Sequence, residues 1–86
     1  MPFWFEDKGL CEDALDMIAE EDVSQIEKWG NQKHHIHKWM IILGEEYGEL
    51  CLAVLGCQLK DIIREATHVA TVALKIAWMA RRKFED

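Results

Sequence analysis

Leu43-Gly-Glu-Glu-Tyr-Gly-Glu-Leu50 decides how the rest of the chain is read. Three carboxylates, Glu45, Glu46 and Glu49, sit in the middle of a long apolar run. Helical residues advance by about 100° each, which gathers the three glutamates into an arc of roughly 100°. Ile42 and Ala53 project into the same arc, and Trp39 lies at its edge. A solvated acidic face would be lined by other polar residues, and this one is not. Unpaired carboxylates on a buried face are costly unless a cation stands among them. Two readings follow from this segment alone: a metal site, or a helix that grazes the surface here.

The segment Asp61–Arg82 bears on that choice. Glu65 sits within an apolar stripe made by Ile62, Val69, Val72, Ala73, Ile76 and Ala80, and His68 lies one turn on at the stripe's edge. A short break around Gly56-Cys57-Gln58 separates the two segments, and a break that short makes helices antiparallel neighbours. At about 1.5 Å rise per residue, Glu49 and Glu65 each fall roughly 8–9 Å from the turn. Two acidic clusters at one level on facing helices are what a divalent cation requires. Mg²⁺ prefers oxygen ligands in octahedral geometry and keeps several waters. A di-iron centre needs Glu-x-x-His on each of two helices, whereas Glu65-Ala-Thr-His68 is the one such pair here.

Outward from this hairpin, the periodicity predicts an all-α fold with a single domain over 1–86. Helices are expected over Leu10–Lys28, about Ile36–Leu55 and about Lys60–Lys83, with an aromatic N-terminal arm over 1–9 carrying Phe3, Trp4 and Phe5. Glu20-Glu21-Asp22 interrupts the apolar stripe of the first helix. Ser24 to Glu27 has the form of a capping box, which leaves one kinked helix and two helices both open. Gly30 and Asn31 are helix-stop residues. The second and third helices are apolar on more than one face, and three helices in one short chain cannot cover that much surface. A second subunit is therefore expected, its hairpin joining this one in an intersubunit four-helix bundle, as a homodimer or homotetramer.

The composition narrows the function classes. Of 86 residues half are hydrophobic and 30% charged, a globular balance. The net charge of −6 argues against a nucleic-acid backbone as partner, which needs a basic surface. The longest apolar run, over 69–80, is interrupted by Lys75 and is too short to span a bilayer, so no membrane partner is expected. The odd set of three cysteines, with no Cys-x-x-Cys pair, points to free thiols in a reducing, cytoplasmic setting. Met1–Phe5 has neither a basic nor a sustained apolar region of the kind signal peptides carry.

Glu45-Glu46-Tyr-Gly-Glu49, then fifteen residues, then Glu65-Ala-Thr-His68 resembles the EExxE…ExxD signature of the MazG-like, all-α nucleoside triphosphate pyrophosphohydrolases. The flanks are similar to those of small MazG-like proteins of phages and mobile elements: Lys28-Trp29-Gly30, Gln32, His34 and Trp39 stand where those carry Lys-Trp-Gly-x-Gln-x-His and then Trp. The resemblance covers roughly residues 25–82. It implies hydrolysis of a nucleoside triphosphate to the monophosphate and pyrophosphate with Mg²⁺, as house-cleaning of non-canonical or surplus nucleotides. It also implies that Glu46, Glu49 and Glu65 are metal ligands and that Glu45 binds a second metal or orients the attacking water. His68 departs from the pattern, which has aspartate there. As a ligand, a neutral imidazole brings one nitrogen and no charge, tilting preference toward Mn²⁺ or another transition metal. The same departure opens the alternative of a nucleotide-binding or sensing module without turnover.

At the base and sugar end, Trp29 can stack a base and Asn31 read its edge, with Lys28 beside them. Equally, Trp29 can plug the core where the first helix ends. Lys75 and Arg64 are candidates to approach phosphates, against the plainer reading of solvated side chains. His34, His35 and His37 read as a polar cluster at a helix entrance.

Overall fold

The computed structural model describes residues 10–30 and 33–85, the side chains of residues 10–12 and 29 excepted. Three helices account for nearly all of it: α1 (Leu10–Trp29), α2 (Ile36–Gly56) and α3 (Leu59–Glu85). No strand occurs among the described residues. The N-terminal arm falls outside them.

Each helix boundary has a local cause. α1 ends at Gly30, whose φ of 76° turns the chain into the left-handed region while its N–H closes on the Ile26 carbonyl at 2.8 Å. Glycine takes that conformation without a Cβ penalty. His35 caps α2: its backbone is extended, and its Nδ1 accepts from the His37 N–H at 3.2 Å, satisfying one of the orphan donors of the first turn. The rings of His35 and His37 stand 4.6 Å apart, so these two histidines form the polar helix entrance. At the other end of α2, Cys57 takes a left-handed φ of 54° and donates its N–H to the Val54 carbonyl at 3.1 Å. Cys57 and Gln58 are then the entire link to α3, tighter than the sequence reading. Arg82 and Lys83 lie in the last turn of α3, where they complement the helix dipole.

α3 is the central element. It packs against both α2 and α1, while α1 and α2 make no backbone approach to one another. The long axis of 46 Å is set largely by α3, whose length at 1.5 Å per residue is about 40 Å. α2 runs antiparallel to α3, so that Glu46 meets His68 and Trp39 meets Lys75. α1 runs in the same sense as α3, with Glu21 beside His68 and Gln25 beside Lys75.

α1 is one continuous helix, which decides between the two possibilities left open above. Ser24 lies inside it and starts no fresh turn. The physical reason is that Glu21 and Asp22 are not solvent-facing interruptions: Glu21 meets His68, and Asp22 faces Lys75 at 3.5 Å. The polar residues of α1 answer polar residues of α3, and the helix has no cause to break.

Among the described residues the core is thin: Trp39 and Val72 are the buried hydrophobic ones, at 7% and 2% exposure. Thr71 is buried as well and satisfies its hydroxyl on the Thr67 carbonyl at 2.8 Å. Ala73 and Ala80, expected on the buried stripe of α3, are exposed, because α2 and α1 embrace α3 along the side carrying Glu65, His68 and Val72. On the outer side of α2, Ile41, Leu52 and Leu55 are exposed, the last two at 70% and 80%. Leu59, Ile63, Leu74 and Trp78 are exposed on α3. The apolar surplus expected from the sequence is therefore present on the surface of the single chain. Among the described residues, no helix is long and apolar enough to cross a membrane.

Candidate metal centre

The acidic segment of α2 and the Glu65–His68 turn of α3 face each other. Ligand atoms of Glu46, Glu65 and His68 all lie within 4.8 Å of one another, a spacing that small side-chain rotations close around one ion. Glu65 is 8% exposed. Its Oε1 receives the Arg64 Nε–H at 3.3 Å, while its Oε2 is fully buried and has no hydrogen-bond partner among the described residues. His68 Nδ1 stands 3.5 Å from that oxygen and 3.2 Å from Glu46 Oε2.

Leaving a buried carboxylate oxygen unsatisfied costs more than an ordinary hydrogen bond contributes. The orphaned Oε2 therefore fits a cation better than it fits a packed core. The donor set agrees: two carboxylate oxygens and an imidazole nitrogen suit a divalent ion.

Glu49 is exposed but lies against the same group. Its carboxyl is raised above the ordinary glutamate value, chiefly because its protonated form shares a hydrogen bond with Glu65, and next because the Glu46 charge repels a second negative charge. Arg64, an exposed side chain, is raised by its bond to Glu65 and by Asp61, which accepts from it at 3.0 Å. Arg64 thus neutralises one oxygen of Glu65 from the solvent side and leaves the inner oxygen untouched.

The sequence-predicted residues do not all converge. Glu46, Glu65 and His68 form the group, and Glu49 abuts it. Glu45 is exposed and outside the group, since one residue's rotation of about 100° carries it away from Glu46. Lys28 is exposed at the end of α1. The side chain of Trp29, and Asn31 altogether, lie outside the described residues. Lys75 Nζ donates to Gln25 Oε1 at 2.9 Å and stands 5.1 Å over the Trp39 ring, so it ties helices together. It is two helical turns from His68, as its position seven residues on requires. Arg64 reaches Asp61 and Glu65.

One residue escaped the sequence reading. Glu21 Oε1 lies 2.9 Å from His68 Nε2, and both side chains are mostly buried. Its signal was there: Ile18, Glu21 and Gln25 fall at helical spacing on one face of α1. That spacing marks a face, however, and does not say what the face meets.

Beside the centre, one turn further along α1 and α3, a groove of about 820 Å³ opens. Asp22, Gln25, Trp39, Lys75 and Trp78 line it, with His34 packed edge-on against Trp39 at 5.1 Å. Comparison of the chain with protein-family models, with curated proteins and with solved structures gives no match in any of the three.

Proposed function

We propose that the chain is a metal-dependent nucleoside triphosphate pyrophosphohydrolase of MazG-like type, releasing the monophosphate and pyrophosphate from non-canonical or surplus nucleotides. The observation that carries this reading is the buried, unpartnered Glu65 Oε2 facing Glu46 and His68. Those three residues, with Glu49 beside them, would hold the divalent cation, Mg²⁺ or Mn²⁺. When bound, such an ion neutralises charge on a triphosphate and lowers the pKa of a coordinated water. Glu45, at the exposed rim, is assigned to orienting the attacking water. The groove next to the centre suits the base and sugar, with the exposed aromatic ring of Trp78 and polar groups at Asp22 and Gln25. Lys75 contributes by holding that groove in shape.

The proposed assembly is a pair of α2–α3 hairpins forming a four-helix bundle. At about 100° per residue, Ile41, Gly44, Gly48, Cys51, Leu52 and Leu55 share an arc of about 100° with no charge in it. A Cβ added at Gly44 or Gly48 would meet nothing within 4 Å in the single chain. Glycine inside a helix costs about 1 kcal/mol relative to alanine, and nothing among the described residues accounts for that cost. A second copy's helix pressed close against this face would.

The test is pyrophosphate release from a nucleotide panel with Mg²⁺ or Mn²⁺, repeated with Glu49→Gln. Turnover indifferent to that substitution removes the reading. A second reading, nucleotide binding without turnover, draws on His68, which stands where the resembling family has aspartate and is held by three carboxylates. Saturable binding with no product, and turnover gained by His68→Asp, would favour it.

A further inference from the structure

Arg64 is anchored to the centre along one edge of its guanidinium. Nε donates to Glu65 Oε1 at 3.3 Å, and Nη2 donates to Asp61 Oδ1 at 3.0 Å. A guanidinium carries five N–H donors in a planar fork, so with two spent on this side edge three remain, both on Nη1 and the second on Nη2. Among the described residues those three have no partner. They form the end of the fork, an edge that grips a phosphate through two parallel hydrogen bonds. The side chain is 57% exposed, which leaves that end accessible. An exposed ion pair one turn apart on a helix contributes little to stability, so bracing α3 does not account for the arrangement.

Glu65 ties this fork to the centre. It offers Oε1 to Arg64 and keeps the buried Oε2 toward Glu46 and His68. A cation held at Oε2 and the guanidinium at Oε1 therefore share the two oxygens of one carboxylate. A triphosphate drawn to that cation also meets the charges of Glu46, Glu49 and Asp61, and like charges repel. More negative charge gathers there than one divalent ion offsets. Lys75 is two turns further along α3 and committed to Gln25, whereas Arg64 is already in place. We propose that Arg64 is a phosphate-binding residue: the Nη1–Nη2 end of its guanidinium takes oxygens of the triphosphate bound at the centre, and Asp61 positions it. The inference rests on the function proposed above and deepens it. Lysine would supply the charge as a point and lack the fork.

The experiment uses the full chain. Calorimetry measures Mn²⁺ binding alone, then binding of inorganic triphosphate in excess Mn²⁺, for the wild type, Arg64→Gln, Arg64→Lys, Asp61→Asn and Glu65→Gln. Inorganic triphosphate probes the phosphate chain without base or sugar. Arg64→Gln should bind it about 10–100-fold more weakly, the effect of losing a charge-assisted pair of hydrogen bonds. Its affinity for Mn²⁺ should stay the same or rise, because Glu65 no longer shares its charge with a guanidinium. A residue that merely braced the helix would weaken both together. Arg64→Lys should recover part of the loss, and Asp61→Asn should lose less than Arg64→Gln, since the charge stays and only its anchor is weakened. If Arg64→Gln does not fold, Arg64→Lys and Asp61→Asn decide by the same two readouts. Triphosphate affinity untouched by the Arg64 variants while Glu65→Gln abolishes it overturns the role of Arg64 alone. So does an equal loss of Mn²⁺ and triphosphate affinity, because Arg64 then acts only through Glu65. A wild type that binds no Mn²⁺, or binds Mn²⁺ and no triphosphate, overturns the function proposed above and this inference with it.

Discussion

Lys75 Nζ stands 5.1 Å over the Trp39 ring while donating to Gln25 Oε1 at 2.9 Å. The ammonium thereby joins all three helices at the mouth of the groove. Lys75→Met keeps the aliphatic stem and removes the charge, the hydrogen bond and the attraction to the ring. The expected loss is about 1–2 kcal/mol of stability in urea unfolding. A loss confined to nucleotide affinity, with stability intact, would return Lys75 to the phosphate role considered from the sequence.

The raised carboxyl of Glu49 fixes the sign of a pH effect. A group that binds its proton more readily in the native state than in the unfolded one contributes stability below its unfolded pKa and loses it as pH rises through the folded value. In metal-free protein, melting temperature should therefore fall across the interval between the ordinary and the raised glutamate values more steeply in the wild type than in Glu49→Gln. At neutral pH the variant should melt higher, because one of the crowded charges is gone. With excess Mn²⁺ the order should reverse, since the wild type gains binding energy that the variant has weakened. Thermal melting over a pH series, with and without metal, reads both signs.

Cys57 holds a left-handed φ of 54° at the hairpin turn. That conformation costs a residue with a Cβ about 1–2 kcal/mol and glycine much less. Its thiol contact with the Val54 carbonyl, at 3.6 Å, is weak compensation. Cys57→Gly should raise the unfolding free energy by about 1 kcal/mol, with no change in metal binding. Urea denaturation midpoints check it.

Leu52 and Gly48 test the assembly from opposite directions. Among the described residues, Leu52 is 70% exposed and Gly48 has open space around it. If nothing covered this face, Leu52→Glu would be near neutral, and Gly48→Leu would stabilise the helix by roughly 1 kcal/mol. In the proposed bundle both disrupt close helix contact. Sedimentation should show a dimer or tetramer in the wild type and a shift toward monomer in each variant.

The sequence by itself determined the helices, the antiparallel hairpin and the pairing of Glu46 and Glu49 with Glu65. These are consequences of local periodicity and a short link: where a face is apolar and a turn is two residues long, few arrangements remain. It also marked Gly30 as a helix stop, through glycine's freedom at positive φ. Tertiary structure decided the rest. Glu20 to Asp22 looked like an interruption because α1 alone offers those charges no partner. Packing against α3 brings Glu21 to His68 and Asp22 to Lys75, and the helix runs on. The same packing turned Lys75 into a tie between helices. A periodic pattern tells which side of a helix faces inward; only the meeting of two such sides sets which polar groups come within hydrogen-bond reach, where differences of an ångström govern the energy.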